Sequence, residues 1–334
     1  MTGALADSVD AIPEPEASPT GSDHRVLRFS GRAMASPLAL TFVADETKAG
    51  RAAAAAAWSA VRDEFAASEE ALSRFRETSE VTALNRASLQ GASLTVGRRL
   101  ARAVSATDRA HRLTGGRFDP RTVGLLDAWG YQGASLGAAI PATALGAAGP
   151  IAQRIDRERI LLPSPIDLGG IGKGLAVRWA ASRVANLGAA RFLIDAGGDI
   201  VARGPGPDGT AWMVGVEDPD GGADPRAVIA IRDGAIATSS IRRLRWVVDG
   251  RTRHHLVDPS TGEPADSGLV SVTVAATDPA WAEVWSKTLF ITGRSGIAAE
   301  ARARGLAAWW VAEDGSLEMT PAARACTVWV AGEA

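Results

Sequence analysis

Arg191-Phe192-Leu193-Ile194-Asp195-Ala196-Gly197-Gly198-Asp199-Ile200-Val201-Ala202-Arg203 reads as two apolar strand segments, 191–194 and 200–203, with no helix between them. The pattern continues downstream, where strands are expected over 211–216, 227–231, 245–248 and 270–275. Helical patterns gather elsewhere. An Ala-rich stretch from 45 to about 75 carries Trp58, Val61, Phe65 and Leu72 at helical spacing, and 96–113 stops at Gly115-Gly116. Residues 174–187, 281–290 and 295–304 complete the helices, and strands at 306–311 and 327–330 close the chain. Two strand-like runs flank Gly31 between Val26 and Val43, and residues 133–149 read as an Ala/Gly-rich surface excursion. Strands in series with helices grouped apart predict an α+β fold, a mixed or antiparallel β-sheet core with flanking helices, rather than a doubly wound sheet.

At 334 residues and 46% hydrophobic content the chain can bury a sizeable core. Residues 1–24, rich in Ala, Pro, Glu, Asp and Ser, are expected to be a disordered leader, and 25–334 one compact unit with room for two lobes. The leader carries no secretory or lipoprotein pattern, so a cytoplasmic location is expected. A net charge of −2 gives no basic footprint for nucleic acid, and no apolar run reaches the length of a membrane span. The single cysteine, Cys326, excludes an intramolecular disulfide and reads as a small buried thiol in an alternating strand.

Two segments carry candidate chemistry. His254-His255-Leu256-Val257-Asp258-Pro259-Ser260-Thr261-Gly262 holds two of the four histidines, beside the end of a strand and a turn. An imidazole held there suits proton transfer near neutrality. The plainer alternative is a strand cap at His255 and a turn started by Asp258. Ile166-Asp167-Leu168-Gly169-Gly170-Ile171-Gly172-Lys173-Gly174 reads as a strand-to-helix connection. It is not a dinucleotide fingerprint, because Leu175 takes the third glycine position. Nor is it a Walker loop, because Asp167 and Gly174 replace the first Gly and the Ser/Thr. Its physics is still that of an anion site: close backbone approach, a helix N-terminus and a lysine. A tight turn alone would account for one or two of its glycines. Of 36 Lys and Arg residues only Lys48, Lys173 and Lys287 are lysines, which makes each of them worth following.

From about Val26 to Val330 the chain resembles the ApbE family, FAD:protein FMN transferases. The pieces that carry the resemblance stand in family order: Met34-Ala35-Ser36, Ser73-Arg74-Phe75, Ser79-Glu80 with Leu84-Asn85, and Gly116-Arg117-Phe118-Asp119-Pro120 with Trp129-Gly130. The Asp167–Gly174 loop, Gly197-Gly198-Asp199, Ala237-Thr238-Ser239 and His255–Gly262 follow. The resemblance implies an ApbE-like, T-fold-related core and FAD as substrate. FMN would pass through a phosphoester to a Thr or Ser of an acceptor protein, with release of AMP; some members hydrolyse FAD instead. By position it implies cofactor contacts at Met34, Phe75, Arg117, Phe118, Asp119, Asp167, Lys173, Thr238, Ser239 and Leu256. His255 would be the general base, with Asp258 holding the local geometry and Lys173 at the phosphates.

The chain departs from the family at the metal. Family members bind Mg²⁺ with an Asp, a Thr four residues later and a carbonyl of the Gly-rich loop. The corresponding positions here are Glu283, Lys287 and Gly170. A charged lysine cannot ligate Mg²⁺. Two alternatives stay open: a solvated Glu283–Lys287 pair on one helix face, or an ammonium in the cation's place with Glu283 holding it. A third reading, from a different class, is a non-catalytic flavin-binding homologue.

Overall fold

The computed structural model describes residues 16–19, 24–138, 140, 149–222, 224–242 and 244–333. Its central element is a nine-stranded sheet: β1 (Glu16–Pro19), β2 (His24–Ala33), β3 (Ser36–Asp45), β4 (Phe192–Ala196), β5 (Asp199–Arg203), β6 (Gly234–Ser240), β7 (Leu269–Ala276), β8 (Ala307–Ala312) and β9 (Leu317–Met319). These strands lie side by side in chain order, and every neighbouring pair is antiparallel. The expected α+β class holds, as a meander into which helices are inserted. The expected leader lies mostly outside the described residues; of it, Glu16–Pro19 pairs along β2 and His24 opens β2. Part of the Ala/Gly-rich excursion, residues 139 and 141–148, is also outside them.

Strand alternation sorts side chains to two faces. One face carries the helices α1 (Lys48–Leu72), α5 (Gly172–Asn186), α6 (Pro279–Thr292) and α7 (Arg294–Ala303). Under α1 and α5 it buries Leu27, Leu40, Phe192 and Val201 with Trp58, Val61, Phe65 and Val177. Under α6 and α7 it buries Val272, Val274 and Trp310 with Leu289, Phe290 and Ile297. Helices α2 (Glu80–Leu89), α3 (Arg98–Leu113) and α4 (Val123–Ala128) belong to the long insertion between β3 and β4. The opposite face packs Ile200, Ile236 and Trp309 on a three-stranded sheet of 212–216, 227–231 and 327–330.

Two hairpins put their tips at one end of the sheet. Between β4 and β5 the turn is Gly197-Gly198, both with positive φ as a two-residue turn requires. Between β2 and β3 the turn falls at Met34-Ala35, not at Gly31. Neither residue is glycine, yet φ is 49° and 59°. Non-glycine residues in this region carry local strain, so the tip is held by its surroundings. Gly31 instead sits inside β2, where the ring of Trp58 would lie 3.3 Å from a Cβ.

At the same end, α5 begins without a side-chain cap of its own, since Ile171 precedes it. No strand runs directly into this helix. The preceding strand ends at Leu161, and 163–168 is irregular. The free N–H of Gly174 in the first turn is taken by the Glu283 carboxylate of α6 at 2.8 Å. This works because the two helices nearly touch there. A Cβ on Gly174 would lie 2.6 Å from Ala280 Cα and 2.7 Å from the Pro279 carbonyl oxygen.

Gly174→Ala is therefore expected to cost about 1–3 kcal/mol, from overpacking against backbone that cannot turn aside. Gly172→Ala meets only ordinary contacts, at 3.8 Å or beyond, and should melt close to the wild type. Equal melting temperatures for the two variants would contradict this crossing.

Candidate functional site

The α5 N-terminus and the loop before it bring the candidate residues together. Lys173, the second residue of α5, forms an ion pair with Asp199 at the start of β5 and lies 3.7 Å from Glu283. Asp199 is buried and, by alternation, faces the helices together with Val201. Glu283 is also buried. Desolvation raises its carboxyl to about 7, and the neighbouring negative charge of Asp199 adds to the rise while Lys173 opposes it. Met34 reaches over from the β2–β3 tip, its methyl 3.8 Å from the point a Cβ of Gly172 would occupy.

Lys287, one turn beyond Glu283 on α6, turns its ammonium against Gly170, where a Cβ would collide with Nζ. Burial lowers its pKa from the usual 10.5, and Asp167 and Glu283 pull it back upward. Among the described residues this ammonium makes no hydrogen bond or close ion pair. The helix-face Glu283–Lys287 pair does not form, because the carboxylate is already committed to Gly174 N–H and Lys173. Glu283 thus holds Lys173, not Lys287.

His255 follows the strand 251–254, which pairs with 245–248. Its Nδ1 lies 3.5 Å from the Leu244 carbonyl oxygen, an arrangement that selects the Nδ1–H tautomer and leaves Nε2 as acceptor. Burial, reinforced by the positive charge of Lys287, drives its pKa down to about 3. The imidazole is neutral at physiological pH.

Asp167 accepts from Arg74 Nε at 3.0 Å and from the Gly169 N–H at 2.7 Å. Arg74 is buried and ties α4 to two loops, since it also reaches Asp127 of that helix at 2.9 Å and the Tyr131 carbonyl oxygen at 2.6 Å. Beside it stands an aromatic wall. Phe75, 49% exposed, meets Tyr131 edge-on at 5.3 Å, and Tyr131 stacks on Trp246 at 5.3 Å. Arg74 lies 4.5 Å over the Phe75 ring. A half-exposed ring of this kind can stack on a planar heterocycle.

Other expected residues have different settings. Arg117 is exposed. Asp119 is buried and forked onto Arg121 at 2.8 and 2.6 Å, so both its oxygens are occupied. The Phe118 ring belongs to the core, with one edge against Gly170. Ser239 faces α6 and shares a hydrogen bond with Ser286 at 2.8 Å. Thr238, one residue earlier, points to the opposite face and bonds Thr273 at 2.8 Å. Leu256 is fully buried, and it precedes the short strand Val257–Asp258 rather than ending a longer one. The Asp258 carboxylate accepts from Ser260 N–H and Oγ at 2.8 and 2.7 Å. It shapes the turn to 263–264 and does not touch His255. Asp199, Arg74, Tyr131 and Trp246 carry no site signal of their own in the sequence. Only the two-glycine turn before Asp199 and the Ser73-Arg74-Phe75 piece hinted at any of them.

Residues 34–310 match the family model described as the ApbE family. An FAD:protein FMN transferase of Klebsiella pneumoniae is 28% identical over 284 residues, 81% of this chain and 84% of that protein. One of Escherichia coli K12 is 32% identical over 151 residues, 45% of this chain and 43% of that protein. The chain thus spans less than half the length of the first curated relatives it matches. The crystal structure of the ApbE protein from Thermotoga maritima superposes with a TM-score of 0.77 at 26% identity, covering 90% of this chain and 99% of that one. The apo flavinyl transferase ApbE of Pseudomonas stutzeri, 24% identical, shares the fold with a TM-score of 0.76, covering 92% and 98%.

The neutral His255 has a consequence for stability. Between about pH 3 and its ordinary 6.5 the unfolded chain binds a proton there that the folded chain does not. Its contribution is present above 6.5 and is lost as pH falls toward 3. Glu283 acts oppositely: its share is present below its ordinary 4.5 and is lost as pH rises through about 7. Melting curves from pH 7 to 4 should therefore shift in favour of His255→Asn, relative to the wild type, as pH falls below 6.5. Parallel curves would refute a desolvated imidazole.

Proposed function

The chain belongs to the ApbE family, and from that premise we propose that it is an FAD:protein FMN transferase. Its substrates are FAD and an acceptor protein presenting a Thr or Ser hydroxyl. The hydroxyl oxygen attacks the phosphorus on the flavin side of the diphosphate, and a new P–O bond forms. The bond from that phosphorus to the bridging oxygen breaks, and AMP departs with the bridging oxygen. The hydroxyl proton passes to Nε2 of neutral His255. The names of the relatives support this reading, as transferases of this kind.

The observation that carries the reading is the gathering of Lys173 and Lys287 at a glycine loop opening a helix, with the His255 imidazole within their electrostatic reach. Phosphoryl transfer needs little beyond such positioning and neutralisation of charge. A resting pKa of about 3 makes His255 a weak base, partly because Lys287 repels its proton. A bound diphosphate offsets that positive charge, so the base strengthens when the substrate arrives. Phe75, with Tyr131 behind it, offers a surface for the flavin or adenine ring, and Asp167 orients the loop that meets the phosphates.

Mg²⁺, which the family resemblance implies, does not suit the residues present. Glu283 is occupied by Gly174 and Lys173, and Lys287 brings a positive charge against Gly170. Among the described residues no three His, Cys, Asp or Glu side chains gather to hold a metal. Among the described residues no helix is long and apolar enough to cross a membrane.

Incubation with FAD and a lysate of acceptor proteins is expected to release AMP and to leave flavin fluorescence on a protein band after denaturation. His255→Ala should slow AMP release by about 10²- to 10⁴-fold. AMP and free FMN without a labelled band would point to hydrolysis instead. The absence of both AMP and a labelled band would remove the transferase reading.

A further inference from the structure

We infer that Lys287 is the resident counter-cation of this site, its ammonium receiving the diphosphate of the dinucleotide directly and making FAD binding independent of divalent metal. The inference rests on the reading of the site as an FAD site and goes beyond it, because it concerns what neutralises the substrate.

Three observations carry it. The first is place. Nζ of Lys287 lies against Gly170, in space that only a glycine leaves open, at the loop that opens α5. The second is the balance of charge around it. Lys173 is matched by Asp199 and Glu283, and Arg74 by Asp127 and Asp167. Lys287 is left without a close partner of its own among the described residues, although its field reaches Asp167, Glu283, Asp199, Lys173 and His255. An ammonium half-buried in this way gains most from an anion that enters from solvent. The third is the commitment of Glu283. Its carboxylate caps α5 and faces Lys173, so it is not presented to a cation beside Gly170.

A lysine at this point excludes the metal as well as replacing it. Two positive charges a few ångströms apart repel strongly in a partly buried site, so a divalent ion beside Gly170 would have to displace Nζ. A compact ammonium with three donors can bridge oxygens of both phosphates.

The test compares FAD and riboflavin, which lacks the phosphates. Affinities are measured by fluorescence for the wild type and Lys287→Gln, each in EDTA and in millimolar Mg²⁺. The wild type is expected to bind FAD equally well in both buffers. Lys287→Gln should lose about tenfold or more in FAD affinity while binding riboflavin as the wild type does. Unchanged riboflavin binding shows that the variant is folded and that the loss is specific to the phosphates. FAD affinity lost in EDTA and restored by Mg²⁺ with Lys287 intact would overturn the inference. So would equal FAD affinity in Lys287→Gln and wild type. Lys287-dependent FAD binding without any flavinylation would support the cation role while removing the transferase reading. Flavinylation combined with FAD affinity that needs Mg²⁺ would do the reverse.

Discussion

The near-contact of α5 and α6 at Gly174 is the constraint on which the site depends. It lets one carboxylate, Glu283, cap a helix that has no cap of its own and face Lys173 at the same time. A side chain at 174 would separate the helices and remove both interactions together. The same crossing sets the direction of the next turn of α6, which aims Lys287 at Gly170. The hairpin tips at Met34-Ala35 and Gly197-Gly198 meet this end of α5, so the meander of the sheet delivers residues far apart in sequence to one helix terminus.

That long-range character explains what was legible in the sequence. Lys173, Lys287, His255 and the glycine loop stood out because their residue types are scarce or clustered. Their partners did not stand out. Glu283 and Gly174 are 109 residues apart, and Arg74 and Asp167 are 93 apart, with no local pattern joining them. The helix-face spacing of Glu283 and Lys287 suggested a local ion pair, which the pull of α5 on the carboxylate prevents.

The fold followed a similar division. Strands with strong apolar alternation were readable, as were the long α1 and α3. Strand β6, Gly-Ala-Ile-Ala-Thr-Ser-Ser, carries small residues with little contrast and escaped notice. Smallness is its structural use: Ala235 and Ala237 let α6 approach closely through Ala282. Gly31 carries the turn signal between Val26 and Val43, yet the β2–β3 turn falls at Met34-Ala35, which carry none and adopt left-handed geometry. Helix α2 is announced by Ser79, whose hydroxyl accepts from Thr82 N–H, but it is too short for its periodicity to stand out.

Arg74 remains as the buried knot that ties residues 127, 131 and 167 to its own loop. Because its three bonds are made by one rigid guanidinium, none of these segments can move far without loosening the others. The aromatic wall beside Arg74 and the glycine loop at Asp167 are therefore tied through one side chain, although Arg74 and Asp167 are 93 residues apart. Removal of the Arg74 side chain would therefore free all three partners at once, since each of its nitrogens holds a different one.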